Sequence, residues 1–376
     1  MNLQNMSIRN IFKFDYVLFS CLIILSVFSI ATLYDYNNPA FYARQIVWST
    51  ISILLFLFIS RMDFSFLKNT KLVIIFYLVS CLLLVATLIF GQNINGAKAW
   101  LNFGFFSLQP ADILKLSLVI LLAKYFSKRH VEIQFLRHII VSLLYAAIPV
   151  AIIMKQPDLG SAVVIMFIWF FIVFIAGLSK KHLFILISTG AIIAALMWNF
   201  ALANYQKERV LNFASPMRDI RGSGYNVYQA LIAIGSGGTY GKDVGFGSQS
   251  KLNFLPEYET DFIFSAYAEE WGFVGVAIIL IIYFIMLSRI LYIAKLSSDN
   301  FFSIISLGVF AWVFVHVFIN ISMNLGLFPV TGLPLPFMSY GGSHFIMLAV
   351  SIGLVSSFSN LDINLKKKVH TEFLGY

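Results

Sequence analysis

The chain has 376 residues, 60% of them hydrophobic and only 11% charged, where a soluble domain of this size carries about a quarter charged residues. Apolar runs recur between polar or aromatic clusters, each close to the roughly 20 residues that a helix needs to cross a bilayer core. This excludes a soluble globular enzyme and leaves a single helical membrane domain, 1–376. The net charge of +9, from 26 Lys and Arg against 17 Asp and Glu, would suggest nucleic-acid binding in a soluble protein; here it follows topology, and no nucleic-acid partner is expected.

The composition predicts an all-α, polytopic fold of about ten transmembrane helices. In chain order the spans are 16–34, 45–61, 72–90, 111–126, 138–154, 161–177, 182–201, 262–287, 301–322 and 341–358. The first is not read as a signal peptide, because no small-residue cleavage site follows it and Tyr34, Asp35 and Tyr36 make an interfacial anchor. Cys21 and Cys81 both fall inside spans and read as small core hydrophobes, not as a disulfide or metal pair. Alternate connections hold most of the Lys and Arg, including Arg61, Lys68, Lys124, Arg137, Lys180, Arg289 and Lys366. Positive charge collects on the cytoplasmic side of a membrane, so both termini are predicted to be cytoplasmic and the long loop 202–261 extracytoplasmic.

That loop is far longer than the other connections, and long loops in compact proteins are usually functional or disordered. It mixes glycine clusters, aromatics and both signs of charge, so it is expected to be ordered. The stretch Gly235-Ser-Gly-Gly-Thr-Tyr-Gly-Lys242 tempts a nucleotide-binding reading. It lacks the leading glycine of a P-loop, and Asp243 stands where the magnesium-binding Ser or Thr belongs. What remains is an anion-cradling turn or a purely structural one.

The sharper candidate is Asp261, where the chain re-enters the membrane. Its position suggests two roles: helix capping, with Thr260 as the cap and Asp261 complementing the dipole, or a general base at the membrane–water boundary. Glu269 falls about 80° round the helix from Asp261 and Glu270 about 180°. Glu269 is therefore expected to share the cavity of Asp261, and Glu270 to pair with another helix. Asp112 and Lys115, at i and i+3, either satisfy each other or contact substrate, and Asp158 lies in a turn, a usual Asx or N-cap position. The segment 324–343 places three prolines and four glycines at membrane depth, flanked by His316 and His344, whose spacing is not that of a metal site. Together these residues, with Arg209, describe a polar cavity in a bundle, which suits an enzyme or a transporter.

The stretches Gly96-Ala-Lys-Ala-Trp100, Leu108 to Lys115, Gln156-Pro-Asp-Leu-Gly160, Ile232 to Gly238, Leu255 to Ile263, Glu269-Glu-Trp-Gly272 and Pro334 to Ser343 resemble, in order, the motifs of the SEDS family (shape, elongation, division, sporulation), which includes RodA and FtsW. Gly247 to Glu257 and Gly332 to Pro336 follow the RodA branch. The chain departs from the usual family pattern in having Ala99 for Arg, Asp112 for Glu, Ile220 for Pro and Ser322 for Gly.

The resemblance implies a peptidoglycan glycosyltransferase of cell-wall elongation and rod-shape maintenance in the bacterial cytoplasmic membrane. Such an enzyme polymerises lipid II at the outer leaflet beside a class B penicillin-binding transpeptidase. It makes Asp261 the essential acid. Around it, Arg209, Lys115, Asp112, Asp158, Lys242, Glu257, Glu269 and Ser343 become candidate substrate contacts. Arg209 is the first choice for the pyrophosphate. No cofactor is required by the sequence, although a divalent cation such as Mg or Mn can take the place of a general acid. The alternative activity is lipid II flipping or transport of another lipid-linked substrate.

Overall fold

The computed structural model describes residues 14–34, 39–94, 97–104, 106–127, 136–200, 207–208, 211, 213, 223–252 and 254–373. Its long helices follow the predicted spans: α1 Tyr16–Thr32, α2 Pro39–Ile59, α3 Thr70–Phe90, α4 Pro110–Ser127, α5 Leu136–Lys155, α6 Leu159–Ile175 and α7 Lys180–Phe200. The long loop contributes α8 Ser223–Gly237 and the single turn α9 Ser248–Lys251, and α10 Ile263–Leu296, α11 Asn300–Asn324 and α12 Gly342–Phe373 complete the bundle. Among the described residues, six helices are long and apolar enough to cross a membrane by themselves, and α1 and α6 are shorter apolar helices. Large apolar side chains such as Leu54, Phe58, Leu82, Ile89, Phe184 and Phe284 stand exposed around the outside. This is the belt that a bilayer would cover.

The all-α expectation misses one small element. Between α3 and α4 the chain forms three short antiparallel strands, β1 Gln92–Ile94, β2 Ala97–Asn102 and β3 Ser107–Leu108, in the order β1-β2-β3. Gln92 lies opposite Trp100 and Leu101 opposite Leu108. Ala99, where the family usually has Arg, is buried in β2.

Helix α11 is the axis of the bundle, touching α10, α4, α6 and α12, while α12 lies along α2. Close approaches use small residues, as membrane helices commonly do. A Cβ on Gly308 of α11 would press on Val119 of α4, and one on Gly342 of α12 would meet the Trp48 ring of α2. Cys21 and Cys81 are both free and packed among core residues.

Helix α10 is not continuous. At Gly272 the backbone turns to φ 63°, ψ −165°, a region open essentially to glycine alone. The interrupted main-chain groups are taken up by the loop: Phe273 N–H donates to Gly238 O (2.9 Å), Val274 N–H to Thr239 O (3.1 Å), and Lys242 N–H to Glu269 O (3.1 Å). A broken helix near membrane depth is tolerated only when its polar groups are satisfied in this way. The glycine-rich stretch 235–241 thereby finds its purpose. A Cβ at Gly237 would fall on the Ala268 carbonyl, and one at Gly241 on the Glu270 carbonyl. Of the two readings of that stretch, the geometry is that of the structural turn, in which backbone packs on backbone.

Candidate active site

Asp261 lies in the turn just before α10, half-buried, at a point where several distant segments meet. The helix begins at Ile263, and Phe262 at the N-cap position supplies no side-chain cap. The expected cap therefore does not form: the Thr260 hydroxyl donates backwards, to Glu257 O and Oε2. The Ser265 amide donates within its own turn to Phe262 O (3.1 Å) and is shared with α11, where Asn324 Oδ1 accepts from Ser265 N–H (3.2 Å) and Oγ–H (2.6 Å). The start of α10 is thus tied to α11 by a side chain from across the bundle, in addition to its own first-turn bonds to Phe262 O.

The same helix holds Asp261 by its main chain. The Nδ2 groups of Asn320 and Asn324 each donate to Asp261 O at 3.0 Å, and Asn320 also donates to Leu333 O at 2.8 Å. The proline-rich segment 331–340 forms the facing wall. His316 Nδ1 bonds Pro334 O (3.2 Å), the Tyr283 hydroxyl donates to Pro336 O (2.6 Å), and Leu335 N–H donates to Ser339 Oγ (2.7 Å). Each partner removes the cost of an unpaired carbonyl or amide in a buried segment, about 1–3 kcal/mol. Gly332, at φ 72°, brings its backbone against the carboxyl group: a Cβ there would stand 3.5 Å from Asp261 Oδ2.

Other motifs join this mouth through their helix N-termini. Asp158 caps α6, with Oδ1 accepting from Ser161 N–H at 2.9 Å. Its Oδ2 accepts from Gln109 Nε2 at 3.2 Å, and Gln109 N–H donates to Ser343 Oγ at the start of α12 (3.1 Å). Gly160 lies close under the Thr331 carbonyl, one residue before Gly332. Asp158 and Ser343 thus take structural partners while bordering the same end of the bundle.

The remaining candidates are placed differently. Asp112 and Lys115 are 0% and 1% exposed and pair at 2.8 Å. Lys115 Nζ also approaches His316 Nε2 (3.4 Å), and His344 Nδ1 lies 3.4 Å from Asp112 Oδ1. The two imidazoles stack with centroids 4.6 Å apart. Asp112 Oδ1 is engaged by Lys115 and His344, while Asp112 Oδ2 and His344 Nε2 are buried without a hydrogen-bond partner among the described residues.

Glu269, expected beside Asp261, turns into the loop. It is fully buried, and its carboxylate accepts from Lys242 Nζ (2.9 Å), Gln249 N–H (3.0 Å), Ser248 Oγ (3.2 Å) and Ser250 N–H (3.3 Å). The reason is the break at Gly272, which brings loop residues 238–251 against this turn of the helix. Lys242 is accordingly engaged by Glu269 and Ser248. Glu270 pairs with Lys251 of α9 (3.3 Å), and Lys251 in turn donates to Thr32 O and Tyr34 O at the end of α1. Glu257 is exposed, with a positive φ of 53°. Arg209 lies outside the described residues.

The residues that sequence reasoning missed are Asn320 and Asn324. With Trp312 and His316 they repeat every four residues along α11, which puts them on one face. A polar stripe at helical spacing inside an apolar span was the available signal.

The fold and this site define a polytopic helical membrane protein that holds a half-buried aspartate where broken backbone and helix N-termini meet. The FtsW/RodA/SpoVE family model, described as "Cell cycle protein", matches residues 8–362. The chain belongs to that family. It is 38% identical over 293 residues to the peptidoglycan glycosyltransferase MrdB of Escherichia coli K12, covering 78% of this chain and 79% of the relative. It is 33% identical over 331 residues to the stage V sporulation protein E of Bacillus subtilis, covering 87% and 89%. Among solved structures, it superposes on a chain from a study of polymerization and crosslinking by a peptidoglycan synthase complex with TM-score 0.79 and 30% identity, over 93% of this chain and 98% of that one. The rod shape determining protein RodA of Thermus thermophilus matches with TM-score 0.70 and 28% identity, over 94% and 98%.

Proposed function

We propose that this protein is a peptidoglycan glycosyltransferase that polymerises lipid II into β-1,4 glycan strands at the outer face of the cytoplasmic membrane, in cell-wall elongation. Family membership and the relatives' names support the activity. The observation that carries the site assignment is that Asp261 is held through its carbonyl by Asn320 and Asn324 of α11 and lies against the Gly332 backbone, at the end of the bundle where α4, α6, α10 and α12 begin.

The donor sugar hangs on an α-linked diphosphate and the product is β-linked, so the transfer is a single in-line inversion. The acceptor's 4-hydroxyl oxygen attacks the donor C1, its proton passes to the Asp261 carboxylate, and the C1–O bond to phosphate breaks. Polyprenyl diphosphate leaves with the bonding electrons. A general base contributes typically 10²–10⁴-fold to such a step. Diphosphate is already a good leaving group and needs charge more than a proton. Gathered helix N-termini favour an anion, and Arg209 is the leading cation for that role, because Lys115 is engaged by Asp112 and Lys242 by Glu269. When bound, a divalent cation such as Mg or Mn would neutralise the same charge; among the described residues no group of three or more His, Cys, Asp and Glu side chains is assembled to hold one.

A class B penicillin-binding transpeptidase is the proposed partner, crosslinking the strands made here. The test uses purified protein with lipid II, with and without that partner, comparing wild type with Asp261→Asn. Glycan strands from wild type and none from correctly folded Asp261→Asn are the expected results. Normal polymerisation by Asp261→Asn would remove the base assignment. Wild-type protein that makes no polymer but moves lipid II between leaflets would be a flippase.

A further inference from the structure

The three carbonyls that lead into α10 are all gripped from elsewhere in the chain. Tyr340 N–H donates to Glu259 O at 2.7 Å, the Ser339 hydroxyl to Thr260 O at 2.6 Å, and Asn320 and Asn324 to Asp261 O at 3.0 Å each. Both asparagines are 0% exposed. A buried amide in an apolar span costs free energy unless it is bonded, and here the bonds converge on one carbonyl and its surroundings.

The donor count fixes the amide orientations. The two Nδ2 hydrogens of Asn320 go to Asp261 O and Leu333 O, so one side chain ties the acid-bearing turn to the proline-rich wall. The Nδ2 hydrogens of Asn324 go to Asp261 O and Asn320 O, while its Oδ1 takes the N–H and hydroxyl of Ser265. Only an amide can donate and accept in this pattern; Asp would place a carboxylate against two carbonyls, and Leu would leave them unpaired. Helix α11, the axis of the bundle, acts as a rigid ruler to which Asp261 is referenced.

A general base changes charge in every turnover, so any partner of its carboxylate must tolerate both states. A grip on the carbonyl of the same residue is indifferent to that change. We infer that Asn320 and Asn324, seconded by Ser339, are positioning residues for the transfer reaction: they aim the Asp261 carboxylate at the acceptor hydroxyl by fixing its main chain. This inference rests on Asp261 being the base. Misplacement of a reacting group by 1 Å can cost on the order of 10²-fold in rate.

The experiment measures lipid II binding and single-turnover transfer per bound lipid II by the full-length protein in detergent, for Asn320→Asp, Asn324→Ala and Ser339→Ala beside Asp261→Asn. Counting only molecules that hold substrate removes losses due to unfolded protein. Turnover per bound lipid II is expected to fall about 30-fold or more for the asparagine variants, with binding changed less than about threefold. Should Asn320→Asp fail to fold, Ser339→Ala decides by the same measure, with a loss of about fivefold expected from one lost grip. Turnover within twofold of wild type in these variants, while Asp261→Asn is inactive, overturns the positioning role and leaves the base intact. Normal turnover by Asp261→Asn means that the base reading itself has failed, and the positioning role with it.

Discussion

Asp261 and Glu269 sit eight residues apart at the same end of α10, and the protein treats them in opposite ways. Glu269 is fully buried and gripped by its carboxylate, through Lys242 and the amides and hydroxyls of residues 248–250. Asp261 is half-buried and gripped through its carbonyl by two asparagines. The first arrangement locks a charge into one state and uses it as a fastener. The second sets the place of a residue without depending on its charge. A bundle that must both close a loop and carry out proton transfer needs one acid of each kind.

The largest expected effect separates the two at once. Asp261→Asn keeps the main-chain grip and should fold with little loss of thermal stability, yet transfer should fall by about 10²–10⁴-fold. Strand synthesis from lipid II, read beside the thermal midpoint, checks both halves. Gly272→Ala attacks the fastener from the backbone side. It puts a Cβ against Gly241 N and the Thr239 carbonyl at a φ/ψ open only to glycine, so a loss of about 3 kcal/mol or more is expected. Retention of the wild-type melting temperature in detergent would show that the helix can straighten. Glu269→Ala comes next. It leaves Lys242 with Ser248 but without its ion-pair partner and uncaps the amides of Gln249 and Ser250; because the lysine is partly exposed, the expected cost is about 2 kcal/mol, below that of a fully buried pair. Limited proteolysis should then cut within 238–252 while turnover per folded molecule holds.

The spans were legible in the sequence, and Asp261 stood out there as a candidate, because both are local: apolar runs and a carboxylate at a membrane boundary need no knowledge of neighbours. It also brought Asp112 to Lys115, since i,i+3 spacing on one helix is geometry that a sequence contains. Glu269 was misjudged for a definite reason. Helical phase presumes an unbroken helix with open space beside it, and the backbone turn at Gly272 fills that space with the loop. The capping role of Thr260 failed similarly: the Ser265 amide is shared between Phe262 O and Asn324 Oδ1, 59 residues beyond Ser265. The sheet between α3 and α4 is too short to announce itself by alternation. What could not be read was which helices are adjacent; what could have been was the four-residue repeat of Trp312, His316, Asn320 and Asn324.

The smallest expected effect tests whether acids in this turn are held for their charge. Glu259 lies between the two grips, two residues before Asp261, and gives its carbonyl to Tyr340. Burial pushes its carboxyl above the ordinary value of 4.5, its own backbone amide partly offsets this, and Glu257 adds to the rise. The folded form therefore binds its proton more tightly than the unfolded chain. Stability from this group is complete below the unfolded value and declines as pH rises through the folded one. Glu259→Gln should raise the melting temperature at pH 7 by about 1–2 °C and leave it unchanged at about pH 4, where both states are largely protonated. A fall at pH 7 would mean that the Glu259 charge fastens the turn as Glu269 fastens the loop, and the division between charge-held and backbone-held acids would then lie between Glu259 and Asp261.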